Sequence, residues 1–176
     1  HVAMSGRPGP VVLALPEDIL SSMADVADST PANPARQTVS QNAVVEVIDR
    51  LKVARNPMVI VGGGGWSAQA AKDLGSFAAA LGLPVGTSFR CQDYIDNRHP
   101  NYVGDVGIAP NPELATLVAK SDCILVLGAR LGEMTSGGYE LFDTPNPRQK
   151  IIHIHADPNE IGRVYRPEIG LACQSA

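Results

Sequence analysis

Four consecutive glycines, Gly62-Gly63-Gly64-Gly65, follow directly on the short apolar run Met58-Val59-Ile60-Val61. Residues without a Cβ let the backbone approach a ligand closely, and a helix beginning just beyond them would turn its N-terminus toward an anion. Gly62-x-Gly64-x-x-Ser67 is one residue away from the dinucleotide-binding fingerprint, with Ser67 where the third glycine belongs. The acid that such sites place on a ribose about 20 residues further on is missing, because the next strand ends in Phe89-Arg90. A bound nucleotide and a tight strand-to-helix turn without a ligand both fit this pattern. Arg130 follows Gly128-Ala129 at the end of the apolar run Cys123–Leu127. There it could contact a phosphate or make a structural ion pair. His153 and His155 are two apart and share one face of a strand. No third ligand lies near them in sequence, so a structural role outweighs metal binding. Asp157 could reach a ribose hydroxyl or cap a helix. G-x-S-x-G, G-x-x-x-x-G-K-[ST] and H-E-x-x-H are all missing, so no catalytic residue and no metal ligand is assigned.

These candidates need a scaffold. Val44, Val45, Val47, Ile48 and Leu51 recur at helical spacing behind Ser40, a capping residue, and Asn56-Pro57 ends that helix. Met58–Val61 is a strand. Ser67 caps a second helix over Ala68–Leu81, which Gly82 closes. Strands are expected at 84–89, 123–127 and 151–155, and a last one within 168–173. A helix is expected at 113–120, with a loop over 90–112. Asp157-Pro158 can open a short helix with proline at its first position. Short apolar strands alternating with helices mean βαβ units. Residues 40–176 are therefore read as one α/β, doubly wound, mainly parallel and Rossmann-like domain. Ahead of it, 17–39 has linker composition, with prolines at 31 and 34. Val11-Val12-Leu13-Ala14-Leu15 reads as a fully buried strand ended by Pro16, the tail of another domain, which makes the chain a piece of something larger.

Composition excludes several partners. The chain has 176 residues and a formal net charge of −4, with no Lys/Arg cluster, which argues against nucleic acid and anionic membrane. Its longest apolar run, Val11–Leu15, is too short to span a bilayer. Aromatics are only 5%, too few for a base-stacking surface. Cys91, Cys123 and Cys173 form no C-x-x-C pair, which fits reduced thiols in a cytoplasmic protein.

Taken in order, these pieces resemble a family. Ser5-Gly6-Arg7-Pro8-Gly9-Pro10-Val11-Val12-Leu13, then Leu15-Pro16-Glu17-Asp18, is similar to the end of the pyrimidine-binding domain of thiamine-diphosphate enzymes of the acetolactate synthase type. Pro57-Met58-Val59-Ile60-Val61-Gly62-Gly63-Gly64 resembles the first strand and turn of that family's central domain, and Leu83-Pro84-Val85 its second strand. Ser121–Leu131 and Ile152–Gly162 complete the pattern. The resemblance covers essentially the whole chain.

It implies a parent of three similar-sized α/β domains. The first would carry a glutamate that activates the thiamine ring, and the third a Gly-Asp-Gly…Asn motif that holds Mg²⁺ and the diphosphate. Neither is in this sequence. Residues 1–16 would be a remnant of the first domain, 17–39 a linker and 40–176 the central domain. The parent would be a 2-oxo acid carboligase or decarboxylase using thiamine diphosphate and Mg²⁺, a cytoplasmic homo-oligomer, and the piece would be inactive alone. The central domain holds FAD in acetolactate synthases, ADP in some decarboxylases and nothing in others. Gly62, Gly63, Gly64, Arg130 and His155 would line that site. Three departures weaken FAD. Arg130-Leu131-Gly132-Glu133-Met134 stands where the family has Arg followed by Phe-Asp-Asp-Arg. His153-Ile154-His155 replaces His-Ile-Asp, and Gly104-Asp105-Val106-Gly107 replaces Gly-Met-His-Gly. Weak or no FAD binding is expected, with ADP or an unoccupied architectural domain favoured. A bare Val11–Leu15 strand would drive association through residues 1–16. An NAD-dependent deacylase or electron-transfer flavoprotein domain, and a stand-alone nucleotide-binding module, are the alternatives.

Overall fold

The computed structural model describes residues 1–33 and 37–174. A five-residue helix, α1 (Glu17–Ser21), precedes α2 (Gln41–Val53). Next come β1 (Pro57–Val61), α3 (Ala68–Leu81), β2 (Val85–Thr87), β3 (Tyr102–Asp105) and α4 (Pro112–Lys120). The chain ends with β4 (Cys123–Leu127), β5 (Lys150–His155) and β6 (Ile169–Ala172). The strands form one sheet in the order β3-β2-β1-β4-β5-β6, and every neighbouring pair is parallel. This is a doubly wound α/β sheet, as the alternation of elements requires. β1 and β4 pair at its centre from Pro57↔Cys123 to Val61↔Leu127. From them the strand order runs outward to opposite edges, so their carboxyl ends flank the switch-point crevice. Among the described residues no helix is long and apolar enough to cross a membrane.

The central strands read as unbroken apolar runs because both faces are covered. Val59 and Val61 point with Val85, Leu125 and Ile152 into a core closed by Val47 and Leu51 of α2 and Leu74 and Ala78 of α3. Met58 and Ile60 point the other way, with Ile124, Val126 and Ile151, onto Leu114 and Val118 of α4 and the loop residues Phe142 and Tyr165. Helix ends follow local chemistry. The Ser40 and Ser67 hydroxyls accept from Ala43 N–H and Ala70 N–H at 3.2 and 3.1 Å. Gly82 closes α3 in the left-handed region at φ 64°.

Two expectations fail. Val11–Leu15 is neither strand nor buried; Val12 is 92% and Leu13 79% exposed. A strand needs a partner for its backbone groups, and the described sheet ends at β3 and β6 without offering one here. The loop expected over 90–112 contains β3, a half-buried edge strand interrupted by Gly104 at φ 115°. Strand formation there comes from pairing with β2, not from an apolar run. The polar stretch 17–39 also holds α1, all of whose residues are exposed.

Asp122 ties the α2–β1 turn to the start of β4. Its carboxylate oxygens accept from Arg55 N–H at 2.8 Å and Asn56 N–H at 2.9 Å. Burial pushes this carboxyl up, but the two backbone hydrogen bonds outweigh it and hold the group below the usual range. Asp122→Ala is expected to cost about 1–3 kcal/mol in urea unfolding. The contribution of Asp122 is complete above its unfolded pKa of about 3.9 and fades as pH falls through the lower folded value, so the variant's deficit should shrink in strong acid.

Candidate nucleotide-binding site

A pocket of about 340 Å³ opens at the carboxyl ends of β1, β4 and β5. Gly63, Gly64 and Gly65 after β1, Gly128 and Arg130 after β4, and His155 at the end of β5 line it. The N-terminal segment adds Gly6, Arg7 and Pro8. Arg130 comes within 3.0 Å of Glu160, whereas Arg7, the other arginine of the lining, has no ion pair within 4 Å among the described residues. Of the residues singled out in the sequence, Gly63, Gly64, Arg130 and His155 meet here. Gly62 lies beneath, with its backbone against the Ser88 side chain.

The steric demand for glycine differs from the fingerprint reading. A Cβ on Gly62 would fall 2.0 Å from Ser88 Oγ, and one on Gly63 would fall 2.0 Å from the Gly128 carbonyl oxygen. Gly64 would meet nothing within 4 Å. The first two glycines are therefore needed because β1 and β4 end side by side, while Gly64 leaves space toward the pocket. Two aromatic side chains fix the loop. Trp66 Nε1 donates to Gly62 O at 2.9 Å, Tyr94 Oη donates to Gly63 O at 2.5 Å, and the two rings stack at 5.1 Å. With both carbonyls turned to these donors, the Gly63, Gly64 and Gly65 N–H groups have no acceptor among the described residues. They remain available to an anion.

Arg130 is already paired. Its Nε lies 3.0 Å from Glu160 Oε2, while Arg163 NH1 lies 3.0 Å from Glu160 Oε1. Burial pushes the Glu160 carboxyl up, but the Arg130 hydrogen bond and the two guanidinium charges override it and hold the group below its usual range. His153 is buried and its Nε2 bonds Ala129 O at 3.0 Å. Burial lowers its pKa and keeps it neutral at pH 7. His155 Nδ1 lies 3.0 Å from Asp157 N and 3.1 Å from Asp157 O, which fixes the ring against the turn after β5. Asp157 caps the turn after β5, accepting from Asn159 N–H at 2.9 Å. Asp105 lies on edge strand β3, bonded to Gln92 and Gly107 N–H, and does not line the pocket. Among the described residues no group of three or more His, Cys, Asp or Glu side chains could hold a metal.

Residues 44–176 match the sequence model for the thiamine pyrophosphate enzyme central domain. The chain belongs to this family. Its relatives include the acetolactate synthase large subunit of Corynebacterium glutamicum, 28% identical over 173 residues, covering 96% of this chain and 27% of the relative. The acetolactate synthase isozyme 2 large subunit of Escherichia coli K12 is 29% identical over 170 residues, covering 97% and 30%. The large subunit from Buchnera aphidicola subsp. Schlechtendalia chinensis is 31% identical over 175 residues, covering 96% and 30%. The chain thus spans under a third of each of these relatives.

Sequence reasoning missed three features of this central domain. Arg7 reads as part of a turn-forming Gly-Pro segment, and only the fold carries it to the glycine loop. Trp66 and Tyr94 are far apart in sequence and meet only across that loop. Gly63→Ala is expected to cost about 3 kcal/mol or more in chemical unfolding, combining a left-handed residue at φ 76° with overlap on Gly128. Gly64→Ala should cost no more than about 1 kcal/mol in the same assay.

Proposed function

We propose that this chain is the central domain of a thiamine-diphosphate-dependent enzyme that acts on a 2-oxo acid, as a carboligase or decarboxylase, and that its pocket takes an ADP-class nucleotide. The supporting observation is that one pocket at the carboxyl ends of parallel strands is lined by glycines whose N–H groups have no acceptor among the described residues and by two arginines, Arg7 and Arg130. A diphosphate needs donors of this kind. The volume of about 340 Å³ lies at the small end of ligand pockets, which span roughly 300–1,000 Å³. That suits a mononucleotide better than FAD. Pairing to Glu160 also takes up part of the charge that Arg130 can offer a second phosphate.

Thiamine diphosphate and Mg²⁺ do not fit the described residues, which lack a carboxylate cluster, so no step through them is assigned to this chain. In the parent that cofactor would supply the carbanion chemistry. The part of this domain is to bind nucleotide and to join its neighbours in a cytoplasmic homo-oligomer.

Calorimetric titration with ADP and, in parallel, FAD tests the nucleotide reading. ADP should bind saturably, Arg7→Ala should weaken it roughly tenfold, and FAD should bind weakly or not at all. Tight FAD binding would restore a flavin site, and no binding of either would leave an architectural domain.

The exposed side chains of Val12, Leu13, Leu20, Met23 and Val26 support the reading of the N-terminal segment as a surface that packs on a neighbouring domain. Light scattering should show the 176-residue chain self-associating, and a chain starting at Gln37 should be monomeric. Unchanged association would sink this assignment.

A further inference from the structure

Behind Arg130 lies a second, smaller chamber of about 70 Å³, lined by Arg130, Tyr139, His153, Glu160, Arg163 and Tyr165 among others. Tyr165 is 2% exposed, and its hydroxyl is a buried polar atom without a hydrogen-bond partner among the described residues. Its ring packs edge-on against Phe142 at 5.3 Å. Native interiors rarely leave such a group unmet.

The charge around the chamber says what would meet it. Both Glu160 oxygens are taken, one by each arginine. Two guanidiniums against one carboxylate leave a net positive charge, and each arginine retains further N–H donors. The two arginine side chains are 45% and 61% exposed, so solutes can reach the mouth, while Tyr165 and His153 form a buried floor.

We propose that this chamber is a binding site for a small carboxylate anion. A planar carboxylate matches the guanidinium fork and can accept from the Tyr165 hydroxyl at the same time. At about 70 Å³ the chamber takes a small anion rather than a nucleotide-sized one. The site is distinct from the nucleotide pocket, with Arg130 as the wall between them.

Formate is the probe. Thermal unfolding of the full chain in sodium formate, against sodium chloride at equal ionic strength, should show saturable stabilisation by formate beyond that of chloride. Tyr165→Phe keeps the ring and removes only the orphaned hydroxyl. It should bind formate roughly tenfold more weakly, yet be no less stable than the parent chain in chloride. Arg163→Gln should weaken formate binding likewise. Equal effects of formate and chloride, or undiminished formate binding in Tyr165→Phe, would overturn the site. So would a Tyr165→Phe chain clearly destabilised in chloride, since its hydroxyl would then be satisfied by water.

Discussion

The closeness of two backbones governs this molecule. β1 and β4 run in register to their last residues, and Gly62 N–H donates to Leu127 O at 3.0 Å just beyond. The next residue of each strand must then turn away in opposite directions with no room for a side chain between them. Gly63 against the Gly128 carbonyl is the outcome. Everything functional hangs from that divergence. It opens the crevice, lines it with the glycine loop, and sets Arg130 two residues beyond Gly128 on its wall.

The sheet was legible in the sequence wherever burial alone decides it. β4 and β5 are apolar runs covered on both faces, and capping residues such as Ser40, Ser67 and Gly82 mark their helix ends by local chemistry. Legibility stopped where structure depends on a distant partner. Tyr102–Asp105 becomes a strand only because β2 lies alongside, and Val11–Leu15 has the pattern of a strand but no edge to join. The site divides along the same line. Glycines, Arg130 and His155 stand next to strand ends and could be found locally. Arg7 reaches the pocket, and Trp66 and Tyr94 reach the loop that lines it, only through the fold.

Electrostatics adds a layer that composition hides. Arg130 looks like a free phosphate ligand in the sequence, yet it shares Glu160 with Arg163. A pre-paired arginine is held in place before any ligand arrives, which lowers the entropy of binding it must give up, but part of its charge is already spent. A site built this way discriminates by geometry more than by raw attraction.

The all-parallel sheet also constrains how the chain reaches its native state. No two neighbouring strands are joined by a hairpin, so none can zip from a local turn. The central pair unites Pro57 with Cys123, across α3, β2, β3 and α4. Loop-closure entropy must be met before that pairing contributes anything, which places the chain among slow folders of high contact order. During that interval the apolar runs of β1 and β4 are exposed together, and the order in which helices dock on them decides whether they find each other or a second chain.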